Sequence, residues 1–111
     1  MDWKKLIGET KQNFAKFHKE TPETFQGFGV MGKEAKKEGH LSEKTKEFIA
    51  LGISIAVRCE SCIGLHVEHL VRLGATKEEM VEALSMSSYM GGGPSITYSA
   101  KALEAFEQLS S

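Results

Sequence analysis

Cys59, Cys62, His66 and His69 fall within one short window, Arg58 to His69, which reads RCESCIGLHVEH. The chain of 111 residues holds only 2 cysteines and 4 histidines in all, so this window concentrates its soft, titratable side chains. Three kinds of chemistry compete for it: a metal site, a thiol redox site, or no chemistry beyond ordinary helix packing. A metal fits poorly. On one helix these four side chains spread over roughly 15 Å of axis, whereas zinc draws its ligands to about 2.0–2.3 Å in a tetrahedron. A partial site such as Cys62 with His66 would need ligands from elsewhere, and the chain has no second Cys/His cluster. We expect no metal and no other cofactor here.

A redox pair fits better. In a C-x-x-C spacing the sulfurs sit one helical turn apart, close enough to join. If a helix begins near Cys59, both thiols lie at its N-terminal end, where unpaired N–H groups and the helix dipole favour thiolate over thiol. His66 is four residues beyond Cys62, on the same helix face, and could take its proton. A histidine base works best when a carboxylate fixes its tautomer and supports its positive charge. Each residue also has a plainer role open to it. Cysteine often serves as a small buried hydrophobe, and a histidine one turn away can be a half-exposed helix residue. We assign His69 that plainer role. A thioredoxin-type reading of C-x-x-C requires a βαβ context that is absent. Spacing alone does not choose between the redox pair and the plain helix.

Composition narrows the classes. Apolar residues make up 41% of the chain, ordinary for a folded globular protein and too many for disorder. With 14 basic and 15 acidic residues, the chain lacks the basic excess of a nucleic-acid binder. The small basic cluster Lys33, Lys36 and Lys37 reads as the solvated face of a helix. The start, MDWKKLIGETKQNF, has no apolar run of the signal-peptide kind. The most apolar segment, Phe48 to Val57, is half the length of a membrane span and reads as a buried helix. A cytoplasmic protein with no membrane partner is expected. There, two cysteines point to redox, catalytic or metal chemistry rather than a structural staple.

The elements that must position the window are helical throughout. Trp3, Leu6, Ile7, Phe14 and Phe17 recur at helical spacing. Thr21-Pro22 supplies an N-cap and a first-turn proline for a second helix, with Phe25, Phe28 and Met31 inward and an end near Gly39. Ser42 caps a third helix through EKTKEFIALGISIAVR. The fourth carries the cysteines and ends at Gly74. Thr76 and Glu79 form a capping box for the fifth. Gly91-Gly92-Gly93-Pro94 breaks the chain before a sixth helix with Tyr98, Ala102, Leu103 and Phe106. That GGGP lacks the Lys-Ser/Thr and the preceding strand of a phosphate loop, and reads as a tight turn with close backbone approach. Strand signals are nearly absent. The expected fold is all-α, a single-domain bundle of about six helices over residues 1–111.

Glu47 lies twelve residues before Cys59, which completes the pattern E-x11-C-x2-C-x3-H as Glu47, Cys59, Cys62 and His66. This resembles the signature of the alkylhydroperoxidase D-like proteins of the carboxymuconolactone decarboxylase family. KTKEFIALGISIAVRCESCIGLHVEHLVRLGATKEEMVEAL is similar to that family's core. PETFQGFGVMGKEAKKEG before it and SSYMGGGPSITYS after it also fit. The resemblance covers residues 22–111 and leaves 1–20 as an added N-terminal helix. It implies helical subunits that associate, commonly as trimers or hexamers. It implies Cys62 as the thiol that attacks peroxide, Cys59 as its resolving partner, and His66 with Glu47 as a proton relay. The substrate would be a peroxide or disulfide, and a dithiol reductant or redox partner protein would restore the thiols.

Geometry adds a condition. Glu47 and His66 are 19 residues apart, roughly 28 Å on a straight helix. The relay that the resemblance implies needs them within hydrogen-bond reach, so it implies that the chain turns back between them, near Arg58 to Glu60, although no Gly or Pro marks the place and the residues alone would allow one long helix. One departure matters for rate. Some peroxidase members carry a histidine between the cysteines, where this chain has Glu60 and Ser61. An acidic neighbour tends to raise a thiol's pKa, which predicts slower peroxide chemistry and leaves a thiol–disulfide role open. The family also includes lactone decarboxylases, which lack the paired cysteines. Such a lyase would need basic groups around its acidic substrate, and Arg58 and Arg72 are the only arginines. A third reading is a non-catalytic helical assembly protein.

Overall fold

The computed structural model describes residues 1–111 as six helices and no strand: α1 (Trp3–Glu20), α2 (Pro22–Lys36), α3 (Glu43–Ala56), α4 (Glu60–Arg72), α5 (Lys77–Gly91) and α6 (Gly93–Leu109). The all-α fold is as the sequence indicates. No helix is long and apolar enough to cross a membrane.

Most helix starts follow from local chemistry. Asp2 accepts the Lys5 N–H at 3.0 Å, and Ser42 accepts the Thr45 N–H at 3.1 Å. Thr76 and Glu79 close a reciprocal capping box, with bonds of 3.1 and 2.9 Å. Each satisfies N–H groups that have no partner inside the helix. Thr21 behaves differently from expectation. Its hydroxyl donates to the Thr24 hydroxyl at 2.7 Å and caps no backbone group, so Pro22 alone opens α2. Between α5 and α6, a Cβ on Gly91 would collide with the Ser95 side chain, and Gly92 sits at φ 73°. Gly91 and Gly92 thus have a packing and a conformational reason to be glycine.

α4 is the centre of the packing. Its Ile63, Val67 and Leu70 meet Leu51 and Ile55 of α3, Met80 and Leu84 of α5, Ala102, Ala105 and Phe106 of α6, and Trp3 of α1. Trp3 is fully enclosed, and its indole N–H donates to Glu104 Oε1 at 2.6 Å. That bond, aided by the nearby N-terminal ammonium, holds the Glu104 carboxyl below the usual carboxylate range. α1 comes close to α4 over Gly64, where a Cβ would lie 3.0 Å from Ile7.

α2 corrects an expectation. None of its residues is buried; Phe28 is 68% exposed and Met31 62%. Only Phe25 finds partners, packing edge-on to Phe17 at 5.3 Å and stacking on His18 at 5.1 Å. Phe14 and Phe17 therefore belong to this small α1–α2 cluster and not to the core. Helical periodicity shows that a face is apolar but not what covers it. α2 also stops at Lys36, short of Gly39.

The turn required between Glu47 and His66 lies at Val57 to Cys59. Cys59 N–H bonds to Ser54 O at 3.0 Å, and Arg58 N–H to Ile55 O at 3.1 Å. This is the double bond pattern that closes a helix through a left-handed residue. α4 ends the same way, with Ala75 to Leu70 and Gly74 to Val71, and there the left-handed residue is glycine. At the first turn it is Arg58, at φ 59°. A side chain in that region costs about 1–2 kcal/mol, and glycine gives back part of the gain through its freer unfolded chain. Arg58→Gly should therefore raise unfolding stability by about 0.5–1 kcal/mol, read as a shift in urea midpoint at constant m; a loss would show that Arg58 makes compensating contacts.

A candidate active site at the start of the fourth helix

Cys59 is the residue just before α4, in extended conformation, and Cys62 sits in the first turn. The Cys62 N–H donates to Cys59 Sγ at 3.2 Å, so sulfur takes the place that Ser or Asp holds at the other helix starts. The two cysteines are joined as a disulfide, with their Cα atoms 5.2 Å apart. Both are half-buried, so a small reactant can reach them. On reduction, both sulfurs would face the positive end of the helix dipole, which favours the anion.

Glu47 projects from α3 into the core and is 1% exposed, the one fully enclosed carboxylate. Its Oε1 lies 2.7 Å from His66 Nδ1. When that carboxylate is ionised it can only accept, which places the imidazole proton on Nδ1 and leaves the Nε2 lone pair open. His66 lies one turn beyond Cys62 on the same face of α4. The structure thus joins Cys59 to Cys62 at the start of α4, and Glu47 of α3 to His66 one turn further along α4.

A second histidine shares the carboxylate. His69 Nδ1 lies 3.7 Å from Glu47 Oε1, and its Nε2 lies 3.8 Å from Glu43 Oε2. His69 also borders an open cleft lined by Lys33, Lys36, Lys37 and Glu43. The plain helix role assigned to it from the sequence overlooked this placement. Its spacing of three from His66 put it on the same face and was the available signal. Also unforeseen are the ties on the two residues between the cysteines. Glu60 accepts from Lys101 Nζ at 3.0 Å, and Ser61 Oγ lies 3.0 Å from Thr10 Oγ1.

The model of the carboxymuconolactone decarboxylase family matches residues 22–105. The chain belongs to that family. The matched span holds Glu47, both cysteines and His66, and α1 precedes it. The fold is shared with the crystal structure of apo-lpg0406, a carboxymuconolactone decarboxylase family protein from Legionella pneumophila. That chain is 47% identical, with a TM-score of 0.95, covering 98% of this chain and 97% of that one. An uncharacterised protein of Haemophilus influenzae is 37% identical over 105 residues, covering 95% of this chain and 93% of its own length. One of Cupriavidus necator is 32% identical over 108 residues, covering 97% and 96%.

The buried pair separates charge from shape. Glu47→Gln keeps the volume and an acceptor for His66 but removes the charge that supports an imidazolium. Because burying a charge is itself costly, unfolding stability should stay within about 1 kcal/mol of the wild type. Alkylation of the reduced cysteines by iodoacetamide at neutral pH should slow by roughly tenfold or more. Unchanged alkylation with intact folding would remove Glu47 from the site.

Proposed function

We propose that the protein is a thiol-dependent, peroxidase-like oxidoreductase working through its C-x-x-C pair. The observation that carries this is the enclosed Glu47 held 2.7 Å from His66, one turn from a cysteine pair at a helix start. A buried carboxylate is costly, and here it fixes the orientation of the adjacent imidazole.

In this reading His66 Nε2 takes the Cys62 proton. The thiolate attacks the distal oxygen of a hydroperoxide; an S–O bond forms, the O–O bond breaks, and the departing alkoxide takes the proton back from His66. Cys62 is now a sulfenic acid. The Cys59 thiol gives its proton to His66 and its sulfur attacks the Cys62 sulfur; a disulfide forms, the S–O bond breaks, and the departing hydroxide takes that proton from His66 and leaves as water. An external dithiol or redox partner protein then reduces the disulfide by exchange and is itself oxidised. The sulfur chemistry needs no metal or organic cofactor.

We infer that the working form is a homo-oligomer, a trimer or hexamer as the family resemblance implies. Supporting this are the exposed apolar side chains Ile49, Ile53 and Val57 of α3 with its turn, Met86 and Met90 of α5, and Phe28 and Met31 of α2. A cytoplasmic location suits a pair that must be reduced each cycle. Decarboxylation of an acidic lactone has less support. The two arginines lie apart, Arg58 in the α3–α4 turn and Arg72 at the far end of α4.

The test is a thiol count with intact mass on fully reduced protein, before and after about one equivalent of peroxide per chain. We expect loss of both thiols and of about 2 Da, both restored by a dithiol. Cys59→Ser should stop at a sulfenic acid on Cys62, about 16 Da heavier, and Cys62→Ser should not react. Survival of both thiols in the wild type would sink the peroxidase reading, and preserved cellular function in both serine variants would favour the assembly-protein reading.

A further inference from the structure

Glu60 is the first residue of α4 and the neighbour of Cys59 in the chain. By itself its carboxylate would oppose thiolate formation at that helix end. The structure gives it a partner from another helix: Lys101 of α6 donates to Glu60 Oε2 at 3.0 Å. Lys101 is steered there, with its ammonium 6.0 Å from the centre of the Tyr98 ring. The contact raises the Lys101 ammonium above the ordinary lysine range, the hydrogen bond it donates to Glu60 being the main cause. Both side chains are partly exposed, with side-chain exposure of 36% each. Such a pair contributes little to folding. Its location is what sets it apart.

Ser61 is tied from the opposite side. The Thr10 hydroxyl has one proton, and donates it to Leu6 O at 2.8 Å. Ser61 must then be the donor in its 3.0 Å bond to Thr10 Oγ1. Its proton is therefore committed to α1 and is not available to the sulfurs. Both residues between the cysteines are thus held by helices distant in sequence, and neither is left to act on the thiols unopposed.

We propose that Lys101 is a positioning residue of the cysteine pair: it fixes Glu60 and offsets its charge, so that the helix end still favours thiolate despite the acidic residue between the cysteines. This rests on the redox reading of Cys59 and Cys62. It removes the penalty that Glu60 would otherwise impose on the cysteine pair.

The opposed charges give the test its sign. In the fully reduced, full-length protein, the rate of iodoacetamide alkylation is followed against pH, and its midpoint reports thiolate formation. Lys101→Gln leaves Glu60 unbalanced and should move the midpoint up by about half a pH unit, the size expected of one nearby surface charge. Glu60→Gln leaves Lys101 facing only Glu104 and should move it down, by less than about half a unit. The double variant should return close to the wild type. A contact that merely tethers the helices predicts otherwise, since both single variants break the same bond and would shift the midpoint in the same direction. That result, or no shift in either variant, overturns the proposal. The readout needs no peroxide. A protein whose thiols alkylate with the opposed shifts but resist peroxide would keep this inference and lose the peroxidase reading. Peroxide oxidation without the opposed shifts would do the reverse.

Discussion

The rest of the structure is arranged around one buried charge. Glu47 is enclosed among core side chains, where an unpaired carboxylate would be prohibitively costly. It is tolerated because His66 reaches it from α4 at hydrogen-bond distance. That requirement fixes the relative register of α3 and α4, because a shift of one residue would swing His66 away from the carboxylate. It also fixes the reversal between them. Arg58 holds a left-handed conformation that arginine disfavours, and the pair of backbone bonds around it closes α3 at the position that lets α4 run back alongside.

Once α4 is so placed, the position of the cysteines follows. Cys59 must serve as the cap, since it is the last extended residue before the helix, and its sulfur receives the Cys62 N–H. The same placement sends Ile63, Val67 and Leu70 inward, to be covered by α3, α5, α6 and Trp3. α4 thus has one face in the core and one end in solvent. The packing holds the first turn rigid while leaving the sulfurs within reach of a small reactant. Thr10 and Lys101 add lateral ties from α1 and α6 to the residues between the cysteines. Membership in the carboxymuconolactone decarboxylase family is consistent with this frame, since the matched residues 22–105 include every element that builds the pair except α1.

Much of this was legible in the chain. Helix starts at Ser42 and Thr76 could be read because capping is local: the side chain and the N–H groups it satisfies are three residues apart. The GGGP turn was legible for the same reason, because glycine's freedom belongs to the residue itself. The spacing of Glu47, Cys59, Cys62 and His66 was legible as a pattern. Given the relay that the family resemblance implies, the need for a turn between Glu47 and His66 followed from the rise of a helix and the reach of a hydrogen bond. Its place was inferred without a Gly or Pro to mark it, since a left-handed arginine leaves no compositional trace.

What the sequence could not decide was which distant groups meet. Phe28 and Met31 lie on an apolar stripe, yet that stripe faces outward, because periodicity carries no information about the partner. His69 looked like an ordinary helix residue until α3 brought Glu43 and Glu47 within 4 Å of its ring. Glu60 looked like a liability beside a thiol until α6 set Lys101 against it, 41 residues further along the chain. By itself the sequence determined the helices, the caps at Ser42 and Thr76 and the chemistry that each side chain can perform, all of which depend on neighbours within about one turn. Only the tertiary structure decided the electrostatic surroundings of the cysteine pair. Those depend on charges that reach the site from other helices, through space and not along the chain.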